Sequence, residues 1–316
     1  MENAPPASLP PLDTDLTDVS DDYSPAAVVS TEVHDDAAAA DAMCGCGEPA
    51  PASGRQDAAV VPRYIYAIGQ LVPRFPSRDI EQEYAQVASR TETAGLTDQQ
   101  AFSAVLSAPD NRYLARQMCY VFRVQGLDAY AMMPRDPGDL DLLVNAVRPD
   151  PKPSDLDVII GLRGPLAPPA LCNGLIVPIV VFDQLYSFDR DDLVSSIPRP
   201  KKSDAKQFGV AAAELLERII NLADNAGSTD EHRALNYMLV RDRGLYTHTV
   251  EQYERDFSLT GVEVRPPTVQ GTRRQHKVIL KYTNRANSFV EQFMAVVDTT
   301  GEFPFMAAPM TAYIDR

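Results

Sequence analysis

What most limits this chain is where its acidic residues lie. Residues 1–60 hold 12 Asp and Glu against one basic residue, Arg55, a charge of −11 out of the total of −15. The same stretch contains seven Pro, thirteen Ala and a single aromatic residue, Tyr23. It has too little apolar surface to offset the entropy of ordering a backbone. It is therefore expected to be a disordered acidic tail or linker. Folding is expected from about Val60, where VVPRYIYAIGQLV brings β-branched and aromatic residues in partial alternation, as in a half-buried strand. Residues 61–316, with 32 acidic and 28 basic side chains and so −4, form the expected domain, with lobes 61–200 and 201–316 as an alternative division.

Within that domain the elements are mixed rather than strictly alternating. Asp79 to Gln82 and Thr97 to Gln100 each carry the pattern of a capping box, in which a short polar side chain serves the backbone N–H three residues on. A short helix near Asn111–Gln117 precedes strands at Cys119–Val124 and Ala129–Met133, joined around Gly126. Pro137 opens another short helix, DLDVIIGLRG reads as a buried strand, and GLIVPIVVFDQL as a second one that Pro178 can interrupt. Phe208, Ala211, Ala212, Leu215, Leu216, Ile219, Ile220 and Leu222 fall at helical spacing after a cap at Ser203 or Asp204, and Ser228 to Glu231 caps a further helix. Strands at Ser258–Val264, Lys277–Tyr282, Phe289–Val297 and Phe303–Ala307 complete an antiparallel meander. Helices grouped between antiparallel stretches give an α+β fold with mainly antiparallel sheet. Tyr64, Tyr66, Phe122, Cys119, Cys172 and the apolar face of residues 208–222 are the expected core.

Composition then narrows the partners. An acidic chain repels phosphate backbones, so nucleic acid is not expected. The longest apolar run, Leu175–Phe182, is far short of the roughly 20 residues that cross a bilayer, and the first residues lack a basic and apolar signal, so a cytoplasmic protein is expected. Four cysteines in a chain of this length do not make a disulfide framework, and reduced thiols are expected.

Candidates for chemistry are few. Cys44 and Cys46, one residue apart, could share a metal, a redox bond or a modification, but tetrahedral zinc needs four ligands and no matching second pair exists. Asp155 and Asp157 share one side of a strand and are the candidates for a divalent metal, whereas Asp139 and Asp141 fall in a helix where positions two apart diverge. His232, His248 and His276 lack an evident carboxylate partner, and His34 lies in the tail. Arg265, Arg273, Arg274 and Lys277 gather near one turn and could hold an acidic peptide. The minimal P-loop, dinucleotide, zincin and α/β-hydrolase motifs are absent, and no cofactor is expected.

Three segments carry a family resemblance: PRYIYAIGQLVPRFPSRDIEQEYAQ from Pro62, HRALNYMLVR from His232, and SLTGVEVRPP with KVILKYTNRANSFVEQFMAVVDTTGEFPFM from Ser258 to Met306. They resemble the PatG C-terminal domain of cyanobactin maturation proteins, in which the domain follows a subtilisin-like protease or macrocyclase. The resemblance implies a pathway of ribosomally made, post-translationally modified peptides, and no catalytic residues carry over because the family assigns none to this domain. The subtilisin triad elements are missing from the chain, so no peptidase activity is expected. The leading expectation is an accessory or scaffold domain that binds a precursor peptide or a pathway enzyme through a sheet edge or groove. Two alternatives stand beside it: a metal-dependent peptide-tailoring enzyme, and a precursor-like tail, with Cys44 and Cys46 as its core, fused to a maturation domain.

Overall fold

A computed structural model of the chain describes residues 63–90, 95–197, 205–221, 225–266 and 272–314. The expectations for the tail, for Cys44, Cys46 and His34, and for the cap at Ser203 or Asp204 lie outside these residues.

The first strand, β1 (Tyr64–Arg74), leads into three helices, α1 (Arg78–Arg90), α2 (Asp98–Ser107) and α3 (Arg112–Gln117). A hairpin of β2 (Cys119–Val124) and β3 (Leu127–Pro134) follows, turning through Gln125 and Gly126, both at positive φ. Next come α4 (Leu140–Ala146), β4 (Asp155–Leu166) and β5 (Pro178–Asp189), which with β1–β3 close a barrel in the order β1-β2-β3-β5-β4. All neighbours are antiparallel except β3 and β5, which run parallel. That order, with a helix between β3 and β4, is the topology of an OB-type barrel, an architecture that does not by itself fix a function.

β1 serves both sides of the barrel, pairing with β4 over Tyr64–Gly69 and with β2 over Gln70–Arg74. At the changeover sits Gly69, where a Cβ would overlap Arg123 O and come within 2.8 Å of the Phe122 ring. Only glycine lets the two backbones approach this closely. Ile65, Ala67 and Leu71 of β1 point inward with Tyr120, Phe122, Tyr130, Met132, Ile159 and Phe182. The helices α1–α4 extend this core through Val105, Leu114, Leu140 and Leu143, and Phe75, Tyr84 and Phe102 meet there with ring centroids 5.0–5.6 Å apart.

The intervening residues Tyr66, Ile68, Val158 and Ile160 face outward and belong to a second core. This double burial explains why YIYAI is apolar at nearly every position. Against that outer wall pack α5 (Arg190–Ser196), α6 (Ala205–Ile220), α7 (Asp230–Arg241) and α8 (Arg243–Glu254). The same core takes in one face of the sheet β6 (Phe257–Arg265), β7 (Gln275–Asn284), β8 (Val290–Asp298) and β9 (Phe305–Ala312), an antiparallel meander in chain order. The fold is thus α+β, as expected, and none of its helices among the described residues is long and apolar enough to cross a membrane.

Three local readings need correction. The α1 cap is Ser77, whose hydroxyl accepts from Ile80 N at 3.4 Å, two residues before the expected Asp79. The helix α8 is not expected from the sequence pattern, because Gly244 near its start and Thr247, Thr249 and Val250 lower helix propensity; its start signal is Asp242, which accepts from Gly244 N. Cys119 and Cys172 are joined in a disulfide, with Cα atoms 5.4 Å apart, where reduced thiols were expected. Fifty-three residues separate them in sequence, and only the barrel brings β2 beside the β4–β5 connection.

Candidate functional site

The β8–β9 turn is fixed from below by the start of α7. Thr229 caps this helix by accepting from His232 N, which leaves Asp230, Glu231 and Arg233 in the first turn aimed at the end of the sheet. Arg233 is 1% exposed, and its guanidinium donates to Asp230 Oδ1 at 2.7 Å, to Thr299 O at 2.9 Å, to Glu302 O at 3.1 Å and to Gly301 O. The Tyr64 ring lies 5.2 Å from it. Arg274 holds the other oxygen of Asp230 at 3.0 Å and also donates to Thr300 O. Arg135, at the end of β3, bridges Asp183 and both oxygens of Glu302, so the barrel also grips the turn.

Thr299, His276 and Glu231 stand in a line that resembles a nucleophile, a base and an orienting acid. Thr299 Oγ1 lies 3.2 Å from His276 Nδ1, and His276 Nε2 lies 3.8 Å from Glu231. The chemistry differs from that pattern. The Thr299 hydroxyl spends its one proton on Arg274 O at 3.1 Å, so it is not poised to give that proton to His276, and Thr299 is completely buried. Burial opposes ionisation of Glu231, yet backbone and Thr229 hydrogen bonds together with the nearby histidines hold its carboxyl below the usual range. The line is a brace for the turn.

The basic residues singled out in the sequence do come near one another. Arg265 and Lys277 face each other across β6 and β7. Arg265 is also committed to Glu263, which takes a second cation, Lys281, at 2.6 Å; these two bonds pull the Glu263 carboxyl down to about 2. Arg274 is held by Asp230, and Arg273 is exposed beside it.

Asp155 and Asp157 lie at one end of the barrel and are already occupied by protein donors. Asp157 Oδ2 accepts from Leu71 N at 2.7 Å, and Oδ1 accepts from Ser187 Oγ at 2.7 Å and Arg148 at 3.1 Å. Burial raises its carboxyl above the ordinary value, and the Arg148 charge and these bonds limit the rise. Asp155 accepts from Lys152 N and lies 3.5 Å from Arg148. Among the described residues no three His, Cys, Asp or Glu are grouped to hold a metal ion. Asp141 pairs with Arg112 across a cleft of about 160 Å³ between α2, α3 and α4. His248 packs edge-on against Phe293, centroids 4.1 Å apart, and burial, aided by the Arg255 charge, pushes its pKa down.

What the brace presents is β9, the terminal strand of its sheet. Its residues alternate: Met306 and Met310 turn inward against the second core, while Phe305, Ala307, Pro309 and Thr311 are exposed. Phe305 is 46% exposed and Phe303, in the preceding turn, 44%. The strand carries no charged residue from 305 to 312, and three of its positions are alanine. A strand is expected at 303–307 and is observed at Phe305–Ala312; its position at a sheet edge depends on pairing that local pattern does not encode.

A family model, the PatG domain, matches residues 64–265. The chain belongs to the PatG domain family. A solved structure described as the PatG domain of unknown function superposes with a TM-score of 0.64 at 17% identity, covering 79% of this chain and 98% of that one. At that identity the likeness speaks for the fold. No curated protein matches the chain.

Proposed function

We propose that residues 61–316 act as a non-catalytic accessory module in the maturation of ribosomally made peptides, capturing an extended segment of precursor peptide along β9. The observation that carries this reading is the exposed edge of β9, uncharged and lined by small residues, held rigid by Arg233 and flanked by Phe303 and Phe305. A peptide strand added to such an edge gains main-chain hydrogen bonds, and alternate side chains meet the exposed phenylalanines. Met306 N already donates to the Tyr237 hydroxyl at 3.1 Å and Pro309 has no N–H to donate, so an added strand pairs through the remaining main-chain groups of β9. Family membership supports the pathway context; in this reading the module works in the cytoplasm, with precursor peptide or partner enzyme as its ligand.

The test is a fluorescence-anisotropy titration of the full chain with the labelled cognate precursor peptide. Saturable binding is expected. Ala307→Lys, which places a charge on the exposed edge, and Phe305→Ser should each weaken it at least tenfold without changing the unfolding midpoint. Undiminished binding by both variants would remove β9 from the account. Turnover of the peptide by the purified chain would overturn the non-catalytic reading.

A further inference from the structure

Among the described residues, neither a helix nor the second sheet contributes to the apolar cluster on the outer wall of β2 and β3. That wall is covered by the connection between β4 and β5, residues 167–177. Cys119, Val121 and Ala131 from the wall, with Ile179 of β5, meet Ala167, Leu171, Cys172, Leu175 and Val177 of this connection in a small apolar cluster apart from the two main cores. We infer that residues 167–177 are a redox-controlled strap: the Cys119–Cys172 disulfide holds it over the wall, and reduction by a dithiol frees it while the barrel stays folded.

The backbone supports a segment that moves as one piece. Ala167 N donates to Val177 O at 2.8 Å and closes the base of the strap. Leu171 N to Pro168 O, Gly174 N to Pro169 O and Leu175 N to Cys172 O are bonds within it. Its tip turns through Asn173 and Gly174, both at positive φ. The tie from strap to wall consists of the disulfide and the apolar contacts of Ala167, Leu171, Leu175 and Val177. Ile176, which could have added a large anchor, is 58% exposed.

Release need not disturb the barrel, because the alternate residues of the same strands, Tyr120, Phe122, Tyr130 and Met132, fill its interior independently of the strap. Low-stability segments of this kind open as local units. In the exchange, a thiolate of the reductant attacks one cysteine sulfur and expels the other as thiolate. The reductant's second thiol then attacks its own sulfur in the mixed disulfide and expels the remaining protein cysteine as thiolate, so two electrons and two protons pass to Cys119 and Cys172 and the reductant leaves as its own disulfide. A reducing compartment keeps thiols free and opens the strap; oxidation closes it.

The experiment is hydrogen–deuterium exchange by mass spectrometry on the full chain, air-oxidised and then reduced with dithiothreitol, with the Cys119–Cys172 linked peptide verified by mass. Amides of 167–177 should exchange at least tenfold faster after reduction, with those of β1 and β4 unchanged, and Cys172→Ser should match the reduced pattern without any reductant. Chymotrypsin should cut at Leu171 or Leu175 only in the reduced form. Three results would overturn the inference: absence of the linked peptide, identical exchange in both states, or loss of protection throughout the barrel.

Discussion

Arg233 offers the strongest single perturbation of the brace under β9. Arg233→Met keeps an apolar stem against Tyr64 and removes four donated hydrogen bonds. Thr299 belongs to a fully buried residue, so its carbonyl loses its partner without access to water, at about 1–3 kcal/mol. Gly301 is exposed and can rehydrate, while Asp230 keeps Arg274, so those bonds add less. Against this, a buried cation with an unpartnered Nε disappears, which returns part of its desolvation cost. The net expectation is a loss of about 2–4 kcal/mol, which at roughly 2–4 °C per kcal/mol for a domain of this size lowers the midpoint by about 4–16 °C. Urea unfolding with exchange measured across residues 299–312 is the assay, and exchange there should accelerate most. Arg233→Lys should rescue little, because one ammonium cannot reproduce the fork. A loss under about 0.5 kcal/mol, or unchanged exchange in the turn, would refute the role given to this residue.

Two further substitutions test the packing and the buried carboxylate. Gly227 sits at φ +71° and its carbonyl accepts from Tyr66 N; in Gly227→Ala the new Cβ would overlap Tyr66 O and come within 2.6 Å of Ala67 Cα, so a loss of about 3 kcal/mol or more is expected by urea titration, and a neutral result would contradict the close contact of this turn with β1. Asp157 holds its proton more tightly folded than unfolded, since burial raises its carboxyl, so its contribution is most favourable below the ordinary carboxylate pKa and declines as pH rises through the shifted value. The stability of the wild type relative to Asp157→Asn should therefore be greatest near the acid end and fall toward neutral pH in urea midpoints; a flat or rising difference would contradict this.

Local signals in the sequence carried much of the secondary structure. The Thr97–Gln100 capping box forms as read, with reciprocal bonds, and the meander at the end of the chain follows its alternation. Barrel closure could not be read the same way, because β1 pairs with β4 roughly ninety residues away and β3 with β5 in parallel, pairings set by packing rather than by neighbours. The disulfide was hidden for the same reason. At the candidate site, the basic residues Arg265, Arg274 and Lys277 were recognisable from composition, and Glu263 stands two residues before Arg265 on the same strand, but Asp230, which holds Arg274, is brought near only by α7. Arg233 looked like any helical arginine, and nothing within the helix reveals that its fork meets a turn some seventy residues on.

Strand capture at β9 is decided by where a peptide touches the protein. Hydrogen exchange of the full chain, with and without saturating cognate precursor peptide, should slow amides of residues 305–312 and leave α1–α4 unaffected, and the protection should vanish in Ala307→Lys. Protection confined to another surface, or an equal effect in the variant, would contradict strand capture at β9.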